Sequence, residues 1–267
     1  MKKNEFNEIF SLGYNCEVSF RLKEKFEVLP SYIFSWTFCL DKKLFLDSLK
    51  YDFKDIISGE NIVFNYGMVE FSKYKLKFHC DPQFEKELSE EHSKEFEDKV
   101  LEETISKVLH LKEKTLKLFS SGKRILFAIK IDSSLYGDYD TELFILDLFS
   151  ILKRKVKNKK FLLVVVLKEE DYLDKFKKLT NSRLRIEKVK FFPSNVDVAY
   201  SGDFDGWGKI LSDYELKEKI YFKESFKNFF TKTINFFKKC IKKVLSKMIN
   251  FSKRCIKKVL RILKIKK

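Results

Sequence analysis

Cys16 closes the segment Ser11-Leu12-Gly13-Tyr14-Asn15-Cys16, in which an apolar run meets a glycine and then a polar residue. Glu8 to Leu12 reads as a short buried strand ending at Gly13, and Asn15 offers an N-cap to a helix over about residues 16–25. A cysteine in the first turn of a helix sits among unpaired N–H groups at the positive end of the helix dipole, which favours the thiolate. The same N–H groups, with the Asn15 amide, could receive an oxyanion. A small buried apolar residue behind a capping asparagine would give the same pattern, so position alone leaves both readings open. His79 ends a strand-like run, whereas His92 and His110, the other two histidines, fall in a charged helical stretch where solvated side chains are the rule. A thiol and an imidazole within reach of each other would perform nucleophilic acyl chemistry.

Three segments carry a resemblance: SLGYNCEVSFRL at 11–22, PSYIFSW at 30–36 and KLKFHCD at 75–81. Together they resemble a bacterial family of unknown function described as papain-like cysteine peptidases. Its members share an SLG-x-x-C element, a PFDW-like element and a later strand ending in histidine. The likeness covers the first 80 residues, and beyond them only the α/β rhythm matches. It implies that Cys16 is the nucleophile and His79 its base, with Ser11, Gly13, Ser35 and Trp36 as the other motif positions. Ser35 stands where the family has aspartate, so another group must orient His79 if orientation is needed. Asp81 would share the face of His79 if the strand continued, and Asp132 ends a later strand; the sequence prefers neither.

A metal site has weaker support. His79 and Cys80 are adjacent, so a strand points them to opposite faces, and there is no Cys-x-x-Cys pair. Asp138-Tyr139-Asp140 and Asp203-Phe204-Asp205 are similar to the Asp-x-Asp element of metal-dependent glycosyltransferases, a three-residue pattern that recurs by chance in acidic loops. No glycine-rich phosphate loop is present. The reading therefore calls for no metal and no cofactor. The favoured function is a thiol-dependent hydrolase or acyl transferase. A glycosyltransferase-like enzyme of surface-glycan assembly and a non-catalytic membrane adaptor are the alternatives.

The elements that must position these residues alternate between strand and helix. Continuous β-rich runs at 125–131 and 161–167 and a strand at 184–191 are separated by helical patterns at 141–155 and 170–179. That rhythm predicts an α/β fold with a mostly parallel sheet flanked by helices. Upstream, 61–79 holds two strand-like runs around Gly67, and 85–120 holds one or two surface helices. Residues 1–215 are expected to form this mixed domain and 216–267 a helical tail.

Charge separates the two parts. Of 55 basic and 39 acidic residues, sixteen and one respectively lie in 223–267, so nearly the whole net charge of +16 is in the tail. There Phe226, Phe230, Ile234, Phe237, Ile241, Val244, Met248, Phe251, Cys255, Val259 and Ile262 recur at steps of three and four. The mean step is the α-helical one and not that of a coiled coil. INFFKKCIKKVLSK at 234–247 is nearly repeated as INFSKRCIKKVLRI at 249–262. A long basic amphipathic helix of this kind suits an anionic membrane surface. Self-association through the tail is the next reading, and nucleic acid ranks last, because the aromatics line the apolar stripe instead of standing among the lysines. The longest apolar run, 161–167, is far short of a membrane span, and the N-terminus carries no signal-peptide pattern. Five cysteines without paired spacing argue against a disulfide framework. The expected place is the cytoplasm, peripheral to the inner face of the membrane.

Overall fold

The computed structural model describes residues 4–13, 16–27, 30–39, 41–58, 62–65, 68–79, 94–132, 139–192 and 202–217. Its centre is a four-stranded parallel sheet of β2 (Glu8–Ser11), β7 (Ile125–Ile131), β8 (Phe161–Lys168) and β9 (Leu184–Val189), in that spatial order. Ser11 lies opposite Ala128, Ile125 opposite Phe161, and Leu163 opposite Leu184. All seven residues of β7 are buried, as their unbroken apolar run requires in a sheet covered on both faces.

Alternation along the strands divides the core. Phe10, Phe127, Ile129, Leu163 and Val165 face the larger cluster, where they meet α2 (Lys42–Lys50), α3 (Lys94–Ser120) and α4 (Thr141–Lys155). Leu126, Ala128, Leu162, Val164 and Val166 face the smaller one, built on Val18 and Leu22 of α1 (Cys16–Phe26) and Trp207 and Leu211 of α6 (Phe204–Leu211). Phe10 anchors the larger side by stacking on Tyr32 with centroids 4.9 Å apart and meeting Phe127 at 5.3 Å. The helix α5 (Asp174–Leu179) precedes β9, and a parallel pair of β1 (Asn4–Phe6) and β10 (Tyr214–Leu216) flanks the domain.

A second sheet differs from the mostly parallel expectation. β3 (Thr37–Phe38), β6 (Leu76–His79), β5 (Met68–Phe71) and β4 (Ile62–Asn65) form an antiparallel meander in the order β3-β6-β5-β4. The sequence reading took 61–79 as two runs. The structure makes three strands of it, because a turn at residues 72–75, with Lys75 at φ 48°, divides the second run. Val69, Phe71, Leu76 and Phe78 of this sheet enter the larger core, while Met68, Glu70, Lys77 and His79 lie half-buried on its other face.

Three further expectations shift. The helix of 85–120 is described as one 27-residue element from Lys94, with 85–93 outside the described residues. The helix expected at 170–179 is shorter because residues 169–171 form a single 3-10 turn first. The helix α6 was not foreseen, since Gly206 and Gly208 both lower helix propensity within eight residues. Among the described residues no helix is long and apolar enough to cross a membrane. Residues Met1–Lys217 form one compact unit, and the basic tail at 218–267 lies outside the described residues.

Candidate active site

Gly13 makes the turn from β2 into α1. Its φ of +72° is in the left-handed region, and a Cβ added there would stand 3.0 Å from the Phe34 carbonyl oxygen and 3.2 Å from the Phe34 Cβ. Only glycine meets both demands without strain. Ser11, fully buried at the strand end, accepts a long 3.4 Å bond from the Gly13 N–H. Cys16 then becomes the first residue of α1, where first-turn N–H groups have no intrahelical partner.

His79 arrives from the other sheet. It is the last residue of β6, faces the half-exposed side, and pairs across the ladder with Met68. Its carbonyl accepts a 3.2 Å bond from Lys107 Nζ of α3, which ties the strand end down. The imidazole Nε2 lies 3.5 Å from Cys16 Sγ, and the pair is partly buried. This is hydrogen-bond distance for sulfur. In the tautomer with its proton on Nδ1, Nε2 accepts from the thiol, and after transfer the imidazolium N–H donates to the thiolate.

The turn ahead of β3 is fixed by Ser35, the residue standing where the resembled family has aspartate. Its Oγ accepts from the Tyr32 N–H at 2.9 Å, and its carbonyl accepts from the Ser19 hydroxyl of α1. Ser35 therefore ties the turn to α1, the helix that Cys16 begins. Trp36, the next residue, packs edge-on against Phe20 with centroids 5.3 Å apart.

Of the orienting candidates, Asp132 is buried and pairs with Lys168 Nζ at 3.4 Å. Asn15 and Asp81 lie outside the described residues. The acidic pairs divide likewise. Asp138 is outside the described residues, and Asp140 accepts from the Leu143 N–H at 2.9 Å as the N-cap of α4. Asp203 caps α6, accepting from the N–H groups of Gly206 and Lys190, both at 2.9 Å. Burial pushes the Asp203 carboxyl up, but those two N–H bonds outweigh it and hold the group below its ordinary range. Asp140 and Asp203 thus serve as helix caps, and among the described residues no group of three or more His, Cys, Asp or Glu is placed to hold a metal.

The sequence reading missed the residue after Cys16. Glu17 is fully buried; one carboxylate oxygen accepts from Trp207 Nε1 at 3.1 Å and the other pairs with Lys130 of β7. Burial raises the Glu17 carboxyl above its ordinary value, against the pull of Lys130 and the Trp207 bond. Burial likewise lowers Lys130, against the pull of Glu17. Lys130 itself was a visible signal, the one charged residue inside the apolar run ILFAIKI, but its partner lies 113 residues away.

No family model, curated protein or solved structure matches the chain.

Proposed function

We propose that the protein is a thiol-dependent hydrolase or acyl transferase with Cys16 as nucleophile and His79 as general base. The observation that carries this reading is the 3.5 Å approach of Cys16 Sγ to His79 Nε2, made by residues 63 positions apart, one at the start of α1 and the other at the end of β6. The likeness to papain-like cysteine peptidases in the first 80 residues supports the same pair. Nε2 takes the thiol proton as sulfur attacks an acyl carbonyl carbon, and the carbonyl π electrons move onto oxygen. The first-turn N–H groups of α1 are suited to bind that oxyanion. As the C=O re-forms, the bond to the leaving group breaks and the imidazolium returns its proton to that group. An acyl thioester remains. Water, or an acceptor nucleophile, gives its proton to Nε2 while attacking the thioester, and the departing sulfur recovers that proton. The basic tail at 223–267 would hold this chemistry at an anionic membrane surface on the cytoplasmic side.

Site-resolved alkylation is the test. Cys16 should react with iodoacetamide well below pH 8 and faster than the other four cysteines, and His79→Gln should remove that advantage. A Cys16 no more reactive than buried Cys39, in a folded protein, would sink the dyad. Cys39 sets the unreactive baseline, because burial pushes its thiol up to about 12.

A further inference from the structure

Beside the thiol, part of the surface is apolar, although Glu70 and Lys77, paired with each other at 3.1 Å, share the sheet face of Met68 and His79. Phe20 is one turn along α1 from Cys16 and so shares its face, and it is 37 % exposed although its ring already meets Trp36. Trp36 stands in the turn directly ahead of β3, whose Thr37 pairs with Phe78, the neighbour of His79. On the opposite flank of His79 its ladder partner is Met68, half-buried on the same face. The nucleophile and base are therefore bordered by two aromatic rings and a thioether contributed by three separate elements. Aromatic and thioether side chains at a half-exposed surface offer dispersion contact and burial to an apolar group.

We infer that this surface is the acyl-side subsite of the enzyme, and that the group transferred to Cys16 is a hydrophobic acyl group. The inference rests on the thiol reading given above and adds to it the class of substrate. An acyl carbon bonded to Cys16 Sγ leaves its chain within a few ångströms of the sulfur, and Phe20 lies along the helix face on which that sulfur sits. A charged acyl group would lose hydration there against the Phe20 ring, which offers it no hydrogen bond, whereas each apolar carbon laid on that ring is removed from water. Two sources share this chemistry: a linear fatty acyl chain, and the apolar or aromatic residue of a peptide.

The experiment measures alkylation of Cys16 in the full-length protein by N-ethyl-, N-hexyl- and N-benzylmaleimide, each rate divided by that of the same reagent with N-acetylcysteine. Peptide mass spectrometry separates Cys16 from the other four cysteines. At Cys16 the normalised hexyl rate should exceed the ethyl rate by about tenfold, roughly 1.4 kcal/mol of differential contact. Phe20→Ala should cut that preference to within about twofold, and Phe20→Leu should keep an intermediate part of it. A larger gain for hexyl than for benzyl assigns a fatty acyl chain, and the reverse assigns an aromatic residue. Equal normalised rates for all three reagents, or a preference untouched by Phe20→Ala, would overturn the subsite while leaving the thiol chemistry standing. A Cys16 slower than N-acetylcysteine with every reagent would overturn the thiol reading itself.

Discussion

Glu17 follows Cys16 in sequence but is fully buried, and it occupies an energetically unusual place. Two opposite charges, Glu17 and Lys130, are respectively 0 % and 1 % exposed, and Trp207 completes the carboxylate's hydrogen bonding. Such a pair contributes little net stability, yet losing one partner strands the other charge away from water, at a cost of about 3–5 kcal/mol. Lys130→Met should therefore destabilise the domain by that order at neutral pH. Its pH dependence follows from Glu17. Without Lys130 the largest downward pull is gone, and burial raises the carboxyl further above its ordinary 4.5. Below that value both folded and unfolded chains keep the proton, so no buried anion exists. As pH rises above it, the unfolded chain releases a proton that the folded chain retains, and stability falls. In the wild-type protein Lys130 opposes the effect of burial, so the loss of stability with rising pH has the same sign but is smaller. The deficit of Lys130→Met in urea melts should thus be larger at pH 7.5 than at pH 4, and Glu17→Gln with Lys130→Met should recover most of it. A deficit independent of pH would show that lost packing, not a stranded charge, is responsible.

At the scale of elements, the junctions matter more than the strands and helices they join. The strand-to-helix turn at Gly13 sets where α1 begins and so where Cys16 stands. Gly13→Ala adds a Cβ at φ +72°, 3.0 Å from a backbone oxygen that cannot rotate away. It should lower stability by about 1–2 kcal/mol or more and slow Cys16 alkylation together. Gly208→Ala is the natural contrast, because an added Cβ meets nothing within 4 Å and the residue lies inside a helix. That change should stabilise by about 0.5–1 kcal/mol and leave alkylation alone. The same distinction explains what the sequence made legible. β7 and β8 are continuous β-rich runs and α4 has an aspartate cap with three basic residues in its last turn, so all three were readable within a residue or so. The place of Cys16 at the start of α1 was legible because a short apolar run, Gly13 and a polar residue precede it. The antiparallel meander was less so: β3 has two residues, β4, β5 and β6 have four each, and turns as short as these leave few residues for periodicity to act on. The Glu17–Lys130–Trp207 cluster was illegible because contacts 113 and 190 residues apart leave no local pattern.

For the whole molecule, charge and core separate along the chain. Among the described residues, the two core clusters run from Phe6 to Leu216, within the unit Met1–Lys217. Sixteen of the 55 basic residues lie beyond position 222, against one acid, in a sequence that repeats itself after fifteen residues and places Phe, Ile and Val at helical spacing. Lysines near anionic lipid contribute roughly 1 kcal/mol each, and apolar side chains add burial that salt does not screen. Removing 223–267 should therefore leave a cooperatively folding, nearly neutral domain that keeps the alkylation behaviour of Cys16. Full-length protein should sediment with vesicles containing phosphatidylserine, whereas the truncated protein should remain in the supernatant. Raising salt to about 0.5 M should release only part of the bound protein, because shortening the Debye length weakens the lysine contribution and leaves the apolar one. Complete release by salt would reduce the tail to an electrostatic tether, and unfolding on truncation would make it a core element of the domain. Sedimentation that ignored anionic lipid altogether would turn the repeat's apolar stripe towards a protein partner, with a second copy of the tail the first candidate to examine by equilibrium ultracentrifugation.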